Sequence, residues 1–296
     1  MPNTATARDY GELELRGAGG EPVLLARTLA SHGVASLPPS RIDEEAWTLE
    51  VTLPLPRTGA RTVRVAPARN THARVELLGP AVSERNKAHL VAQLRHMFRL
   101  DEDLSPFYSV ARDDEQLSWA AAGAGRMLRS PTVFEDVVKT ICTTNCAWSG
   151  TVRMVSALVD HLGARAPTGA HAFPKPEKIA EAPDAFLRDV ARAGYRGPYI
   201  RTLARSARLA PGELRVGRSR PRIEHEPGVA PERGEHHVGG GVRAHAWQRE
   251  EPLFDLRVGQ LRIVQHFQVE RRFRRYGDFA GLAFWLLLTR GWVPED

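Results

Sequence analysis

The chain has 296 residues, too many for one small hydrophobic core, so we expect two domains or one domain with a large extension. Its 42% apolar residues can fill such cores, and no apolar stretch approaches the roughly 20 residues that span a bilayer, which predicts a soluble protein that does not act at a membrane. The formal net charge of +6 favours a polyanionic partner, because each phosphate that binds an arginine or lysine releases condensed counterions.

The two cysteines limit the cofactors that the chain can hold. Cys142 and Cys146 lie one helical turn apart, which excludes a disulfide framework and a four-cysteine zinc or iron–sulfur site. We therefore expect two buried thiols, with neither a metal nor an organic cofactor. The first ten residues lack the basic-then-apolar order of a secretory signal, so we also expect an intracellular protein.

The part of the chain from Pro22 to Leu78 has mostly the pattern of β-strands. Residues 47–53 and 62–66 alternate apolar with polar side chains, and residues 74–78 repeat the alternation. Prolines and glycines separate these runs. The pattern predicts an antiparallel sheet with one buried face.

Helical periodicity begins at Ser83. Apolar residues then fall on one helical face at Leu90, Leu94, Met97 and Phe98, and strand-like alternation largely disappears. We therefore place a domain boundary near residue 82. The sequence predicts an α+β fold, in which a small N-terminal antiparallel β-sheet domain at residues 1–82 precedes a mainly α-helical domain at residues 83–296.

Two helices in the middle of the chain are predicted to form an antiparallel pair. The first begins at Ser130 and Pro131, with Ser130 as N-cap and acidic residues in its first turn. The second starts at about Thr151 and ends at Gly163, where a C-cap glycine is expected. The side chains predicted to face the core are Phe134, Val137, Val138 and Ile141 in the first helix, and Val152, Val155, Leu158, Val159 and Leu162 in the second.

Further helices are predicted at residues 176–182, 183–193 and 198–206, each beginning with a proline. The tail at residues 276–292 again shows apolar residues at helical spacing, and we expect it to close the core of the same helical domain.

Three segments resemble a known enzyme family in the expected order. Residues 127–148 (MLRSPTVFEDVVKTICTTNCAW) resemble the first core helix and following turn of the helix-hairpin-helix (HhH-GPD) DNA glycosylases, in the branch of DNA-3-methyladenine glycosylase II and 8-oxoguanine glycosylase. Residues 194–201 (GYRGPYIR) are similar to the turn before the hairpin, and residues 270–285 (ERRFRRYGDFAGLAFW) are similar to the closing helices.

The resemblance implies a monomeric cytoplasmic, nucleoid-associated enzyme of base-excision repair that acts on double-stranded DNA containing an alkylated or oxidised base. Such an enzyme extrudes the damaged base and fills the gap with a wedge residue. A carboxylate then stabilises the positive charge that builds on the sugar as the N-glycosidic bond breaks. No lysine follows Lys178, so the resemblance implies a monofunctional hydrolase that forms no Schiff base.

The resemblance places Asn145 where residues enter the gap left by the extruded base. An asparagine that closes the helix in left-handed geometry is an equally good interpretation, and both can hold together. Trp148 and Tyr195 are predicted to line the base pocket, although an aromatic residue at position 148 also suits the core. The further predicted DNA contacts are Thr144, Arg129, Arg196 and Gly228. Tyr199, one turn after Tyr195, is predicted to pack inside.

The hairpin region departs from the family pattern. The family's Leu-Pro-Gly-Val-Gly has its nearest match at residues 226–230, with Glu226 and Ala230 at its first and last positions. Between residues 208 and 266 apolar periodicity is lost, and five of the eleven histidines accumulate there. This composition favours a GC-rich gene translated out of frame over this range; a divergent or disordered insertion is the alternative.

The catalytic carboxylate is predicted at Asp255, the aspartate between the hairpin-like segment and the tail. A solvated loop aspartate is the competing interpretation. His236, His237 and His245 fit a solvated tract better than a metal site. Two further functions stay open: a catalytically inactive DNA-binding paralogue on the same scaffold, and a defective paralogue that folds poorly.

Overall fold

The structure is a computed structural model that describes residues 7–56, 59–69, 71–209 and 273–293. In these residues an antiparallel sheet near the N-terminus is followed by a helical region, which confirms the predicted α+β fold. Gly228 and Asp255 fall on residues 210–272, outside the described residues. The range in which periodicity is lost also falls there, apart from its first two residues, 208 and 209. No helix in the described residues has the length and apolar character needed to cross a membrane.

Five antiparallel strands form the sheet of the described residues, in the spatial order β1-β5-β4-β3-β2. The strands are β1 (Ala7–Glu14), β2 (Ser40–Asp43), β3 (Thr48–Pro54), β4 (Ala60–Pro67) and β5 (His72–Leu78). The three predicted strands are confirmed as β3, β4 and β5, while the two edge strands were not predicted. Val51 pairs with Val63 and Val65 with Val75, so the central strands align their buried side chains.

Eight α-helices occur in the described ranges. They are α1 (Leu25–Leu29), α2 (Glu84–Met97), α3 (Ser105–Arg112), α4 (Val133–Thr143), α5 (Trp148–Leu162), α6 (Pro176–Glu181), α7 (Arg196–Leu209) and α8 (Ala280–Thr289). The helix predicted at residues 183–193 is wrong in extent, because only a π-helical turn at Phe186–Val190 forms there. The predicted helix at residues 198–206 is the middle of the longer α7.

Three hydrophobic clusters hold these elements together. The sheet packs on α2, the second cluster joins α4, α5, α6 and α7, and the third joins α3 to the C-terminal segment. Helix α2 shares the hydrophobic core of the sheet, so the packing shows no domain boundary near residue 82. The boundary at residue 82 stays a prediction. The tail packs within the predicted helical domain, but on a cluster separate from that of α4 and α5. Phe273, Tyr276 and Leu286 pack instead with Phe107 and Tyr108, since α3 offers a separate apolar face.

Helix α4 begins two residues later than predicted. Thr132, not Ser130, is the N-cap, and its Oγ1 accepts a hydrogen bond of 3.2 Å from the Glu135 backbone N–H. The reason is the Thr-x-x-Glu spacing, which favours a cap at the threonine. The predicted core positions Phe134 and Val138 are confirmed, but Val137 is only partly buried.

A buried ion pair replaces the fully apolar stripe predicted for α4. Lys139 Nζ lies 2.7 Å from Glu135 Oε1, and both side chains are almost completely buried. Burial raises the pKa of Glu135, whereas Lys139 opposes that shift. Glu135, one of the acidic residues predicted in the first turn of the helix, is therefore buried. It pairs with a lysine one turn further along the helix.

Helix α5 begins at Trp148, one turn before the predicted start. Val155, Leu158 and Val159 are buried as predicted, but Val152 is exposed, so its predicted inward position is wrong. Gly163 is the C-cap, as predicted, in extended geometry rather than left-handed. A Cβ there would lie 2.0 Å from the Ala172 carbonyl oxygen, so only glycine permits this close approach.

A second buried ion pair ties three loops together. The Arg126 guanidinium pairs with Glu21 and also donates to the backbone carbonyls of Arg99 and Glu102. The Arg126 side chain is 0% exposed, and Glu21 also accepts a hydrogen bond of 2.7 Å from the Leu104 backbone N–H. This pair, together with its carbonyl partners, is the Arg126 clamp.

His32 makes part of the fold sensitive to pH. Its Nε2 donates a hydrogen bond of 2.8 Å to the Leu128 carbonyl, which links the segment after α1 to the segment before α4. Burial lowers the pKa of His32; the Leu128 hydrogen bond and Asp136 oppose this shift, and Lys139 adds to it.

We expect the His32→Gln variant to show a flatter dependence of melting temperature on pH than the native chain. Because the folded-state pKa lies below the unfolded value of about 6.5, the unfolded chain binds more protons in that window, and stability is lost as the pH falls. Thermal melts between about pH 5 and pH 7 measure this slope. The control is His89→Gln, in which His32 is intact; an unchanged slope in His32→Gln would contradict the assignment.

Candidate functional site

The turn between α4 and α5 carries the predicted wedge residue at an exposed position. Thr144 is the C-cap of α4 in extended geometry, and Asn145 follows with a φ of 44°, in the left-handed region. Asparagine tolerates this region better than most residues, because its short side chain hydrogen-bonds locally. The predicted left-handed geometry of Asn145 is therefore confirmed, but the C-cap of the helix is Thr144 rather than Asn145. The role of Asn145 as a wedge stays a prediction. The Asn145 side chain is exposed, as this role requires.

Tyr195 reaches this turn from the segment before α7. Asn145 Nδ2 donates a hydrogen bond of 3.2 Å to the Tyr195 hydroxyl, and Thr144 Oγ1 lies 3.2 Å from the same oxygen. Hydrogen bonds with Thr144 and then Asn145 lower the pKa of Tyr195. The tyrosine is 54% exposed, so its ring is anchored at the hydroxyl while most of its surface faces solvent.

Arg196 holds the turn in place through the Thr144 carbonyl. It is only 7% exposed, and its Nε donates a hydrogen bond of 3.0 Å to the Thr144 carbonyl, which also accepts from Nη2. The guanidinium carbon lies 4.5 Å from the centre of the Tyr195 ring. Arg196 thus satisfies a helix C-terminal carbonyl and supports the tyrosine ring, a positioning role that the sequence did not predict. A phosphate contact by Arg196 stays a prediction.

Two further arginines lie close in sequence to these residues. Arg153 and Arg192 are exposed, and within the described residues neither makes a hydrogen bond or an ion pair. Arg153 Nη2 lies 3.9 Å from the position that a Cβ of Gly150 would occupy, and Cys146 Sγ lies 3.8 Å from the same position. The Arg153 guanidinium is therefore next to Cys146, the residue that follows Asn145. We define Thr144, Asn145, Tyr195 and Arg153 as the Asn145 surface.

The other predicted aromatic residues differ in their exposure. Trp148 is partly exposed, and its ring lies 3.7 Å from the position of a Cβ at Gly33, so it combines core packing with an open edge. The prediction that Tyr199 packs inside is wrong, because it is 64% exposed. Since α7 begins at Arg196, Ile200 faces the core and Tyr199 faces solvent, one turn after Tyr195.

Arg129 belongs to a different part of the molecule. Its backbone N–H donates to the Met97 carbonyl at 2.9 Å, and its guanidinium lies 2.6 Å from Glu102 Oε1. These partners lie near the end of α2. The structure therefore does not bring Arg129 to the Asn145 surface, and its predicted DNA contact stays a prediction.

The two thiols differ in burial. Cys142 is buried as expected, and burial raises its pKa to about 12, so the thiol stays protonated at neutral pH. Cys146 is only partly buried, contrary to expectation, and its Sγ donates to the Cys142 carbonyl at 3.2 Å. In the described residues no group of three or more histidine, cysteine or acidic side chains is placed to hold a metal ion.

The sheet, the helical region and the exposed turn together define an α+β fold that occurs among solved structures of DNA glycosylases. The chain is similar to the 3-methyladenine DNA glycosylase from Archaeoglobus fulgidus, with a TM-score of 0.52, 19% identity, and coverage of 66% of this chain and 66% of that chain. It is also similar to the 8-oxoguanine glycosylase/lyase from Clostridium acetobutylicum in its apo form, with a TM-score of 0.48, 18% identity, and coverage of 66% and 63%.

The likeness to the enzyme from Archaeoglobus fulgidus shows a shared fold. The matched part spans slightly less than two thirds of that enzyme. No protein-family model matches the sequence, and no curated protein matches it.

Proposed function

We propose that this chain is a monofunctional DNA glycosylase that binds double-stranded DNA, extrudes an alkylated or oxidised base, and hydrolyses its N-glycosidic bond. The observation that carries the proposal is the Asn145 surface, on a fold similar to that of a 3-methyladenine DNA glycosylase. Asn145 is exposed and left-handed, and its side chain is held by a hydrogen bond to Tyr195. Such a residue suits a group that enters a duplex.

DNA binding would use both polar and charged groups of this surface. The Asn145 amide can donate and accept hydrogen bonds with the orphaned base, whereas Arg153 can neutralise a nearby phosphate. The Tyr195 hydroxyl, which also bonds to Thr144, accepts a hydrogen bond from the amide, and the Tyr195 ring offers an edge beside it. Trp148 is proposed to contribute to the base pocket through its open edge, and Gly228 to contact the backbone of the DNA.

The chemistry would depend on a carboxylate near the sugar. Breaking the N-glycosidic bond leaves positive charge on the sugar ring, and a nearby carboxylate lowers the energy of that transition state. We propose Asp255 for this role. Water then completes the hydrolysis, and no metal or organic cofactor takes part in the proposed reaction.

The direct test uses duplex oligonucleotides that contain one 3-methyladenine or one 8-oxoguanine. We expect the purified full chain to release the free base from one of them, as measured by chromatography, and to leave undamaged duplex intact. Binding to the same duplexes, measured by fluorescence anisotropy at stated salt, gives the second readout. If the chain neither releases a base nor binds the duplex, the proposal is contradicted.

The second candidate is a catalytically inactive DNA-binding paralogue. The observation that favours it is the departure of the hairpin segment, where Glu226 and Ala230 replace the family's leucine and glycine. Tight duplex binding without release of any base would support this candidate over the glycosylase.

The Arg196→Met variant is expected to release base about tenfold more slowly, while its melting temperature changes little. Loss of the guanidinium frees the Thr144 carbonyl and lets Asn145 move, and small displacements of positioning groups are costly to catalysis. Single-turnover base release measures the effect. The matched control is Arg205→Met, an exposed arginine further along α7, which should react at the native rate. Equal rates in both variants would remove Arg196 from its positioning role.

A further inference from the structure

A chain of hydrogen bonds inside the Asn145 surface has a fixed direction. It starts at Thr144, whose Oγ1–H donates to the Ile141 carbonyl at 2.8 Å. A threonine hydroxyl carries a single proton, so Thr144 Oγ1 can only accept in its other hydrogen bonds. It accepts from Arg196 Nε at 3.3 Å and lies 3.2 Å from the Tyr195 hydroxyl. The Tyr195 O–H is therefore the donor in its contact with Thr144.

The direction of this chain determines how the Asn145 side chain is turned. Because the phenolic proton of Tyr195 is used at Thr144, the Tyr195 oxygen meets Asn145 as an acceptor. The Asn145 amide must then point its Nδ2 toward the tyrosine, and the two atoms lie 3.2 Å apart. An amide turned over would place Oδ1 against an oxygen that has no proton to give. We call the side chains of Thr144, Tyr195 and Asn145 the hydroxyl relay.

This orientation leaves a defined set of polar groups open on the Asn145 side chain. Asn145 is exposed, and among the described residues its Oδ1 makes no hydrogen bond. The amide therefore offers its carbonyl oxygen, with both lone pairs unused, and its second N–H. A group rich in acceptors pairs best with a base rich in donors. Guanine is such a base, because its ring N–H and its amino group both lie on the edge that an extruded partner would leave unpaired.

We propose that the Tyr195 hydroxyl, directed by Thr144, is a positioning group that fixes the orientation of the Asn145 amide and makes the protein favour guanine opposite the damaged base. The proposal rests on the proposed function, because it requires that Asn145 enters the duplex. It goes further in two respects. It assigns the role to the hydroxyl of the tyrosine rather than to its ring, and it names the base on the undamaged strand.

The test uses four duplexes that differ only in the natural base opposite a tetrahydrofuran abasic-site analogue, so that no damaged base has to be chosen. Fluorescence anisotropy at fixed salt measures the affinity of the full chain for each duplex. We expect the native chain to bind the guanine duplex about three- to tenfold more tightly than the others, which is the effect of one well-placed hydrogen bond. In Tyr195→Phe the ring is kept but the amide can turn over, so the four affinities should become equal.

Substitutions at Thr144 test the direction of the relay. Thr144→Val removes the acceptor for the tyrosine proton, so the Tyr195 O–H is free to donate to Oδ1 and the preference for guanine should be lost. Thr144→Ser keeps the hydroxyl and should keep the preference. The matched controls are Tyr199→Phe, at an exposed tyrosine one turn further along, and Thr143→Val, whose hydroxyl donates to the Thr140 carbonyl within α4. Both controls should bind with the native preference.

The outcomes separate the relay from the proposed function. Equal binding of the four duplexes by the native chain, a preference for another base, or a guanine preference that persists in Tyr195→Phe would overturn the relay and leave the glycosylase proposal intact. If the native chain binds none of the four duplexes, the proposed function fails and the relay fails with it.

Discussion

Replacing Arg126 with methionine is expected to lower the free energy of unfolding by about 3–5 kcal/mol, because it leaves the Glu21 carboxylate buried without its counter-charge. The carbonyls of Arg99 and Glu102 lose their donor at the same time. Gly17 shows how closely the clamp is packed, since a Cβ there would lie 1.9 Å from Arg126 Nη2. Urea denaturation followed by circular dichroism measures the loss.

A double substitution separates the pair from its surroundings. In Glu21→Gln with Arg126→Met, no charge is left unpaired, so we expect part of the stability to return relative to Arg126→Met alone. The control is Arg188→Met, which removes an exposed arginine paired with Asp189 and should leave the midpoint unchanged. A double variant no more stable than Arg126→Met would show that the carbonyl contacts, rather than the charge pair, dominate the clamp.

The Asp255→Asn variant is expected to release damaged base about 10²–10³-fold more slowly than the native chain, with duplex binding unchanged. The amide keeps the size of the side chain but cannot stabilise positive charge on the sugar, and removal of one electrostatic group in an active site typically costs this much. Single-turnover base release and anisotropy on the same damaged duplex measure the two effects.

The matched control is Asp160→Asn, which removes an exposed carboxylate on α5 and should act at the native rate. If Asp255→Asn releases base at the native rate, Asp255 has no part in the mechanism. The proposal that the chain is a glycosylase would still stand. A parallel loss of binding in Asp255→Asn would instead show a change in the folded state.

Periodic elements of this fold could be predicted from sequence because burial on one side repeats at a fixed spacing. Strand β5 and helix α2 follow this rule. Strands β3 and β4 keep apolar residues at alternate positions but also bury Thr52, Thr62 and Ala66 on the opposite face. The edge strand β1 does not follow the rule: its only fully buried residue is Leu13, so no alternation marks it. Strand β2 has four residues and no fully buried side chain. Helix α3 pairs with the distant α8, a contact that local periodicity does not contain.

The candidate site was only partly predictable. Asn145 and Tyr195 followed from the resemblance of their segments, but their hydrogen bond joins residues that are 50 positions apart. Arg196 was expected to face a phosphate, because arginines are usually exposed; its burial results from a tertiary contact with the Thr144 carbonyl. Tyr199 was placed inside as a tyrosine of a helix-entry turn, but the neighbouring Ile200 takes the position on α7 that faces the core.

The contacts between α1 and α8 have a consequence for the order in which the molecule assembles. Trp285 bonds to the Ser31 carbonyl, and Arg27 donates to the Arg290 carbonyl at 2.6 Å, across separations of 254 and 263 residues. Translation proceeds from the N-terminus, so these two contacts form only after residues 280–289 have left the ribosome. Until then α3 packs on Leu117, Ala120 and Ala124 without the C-terminal segment, and the nascent chain exposes the apolar surface that this segment later covers.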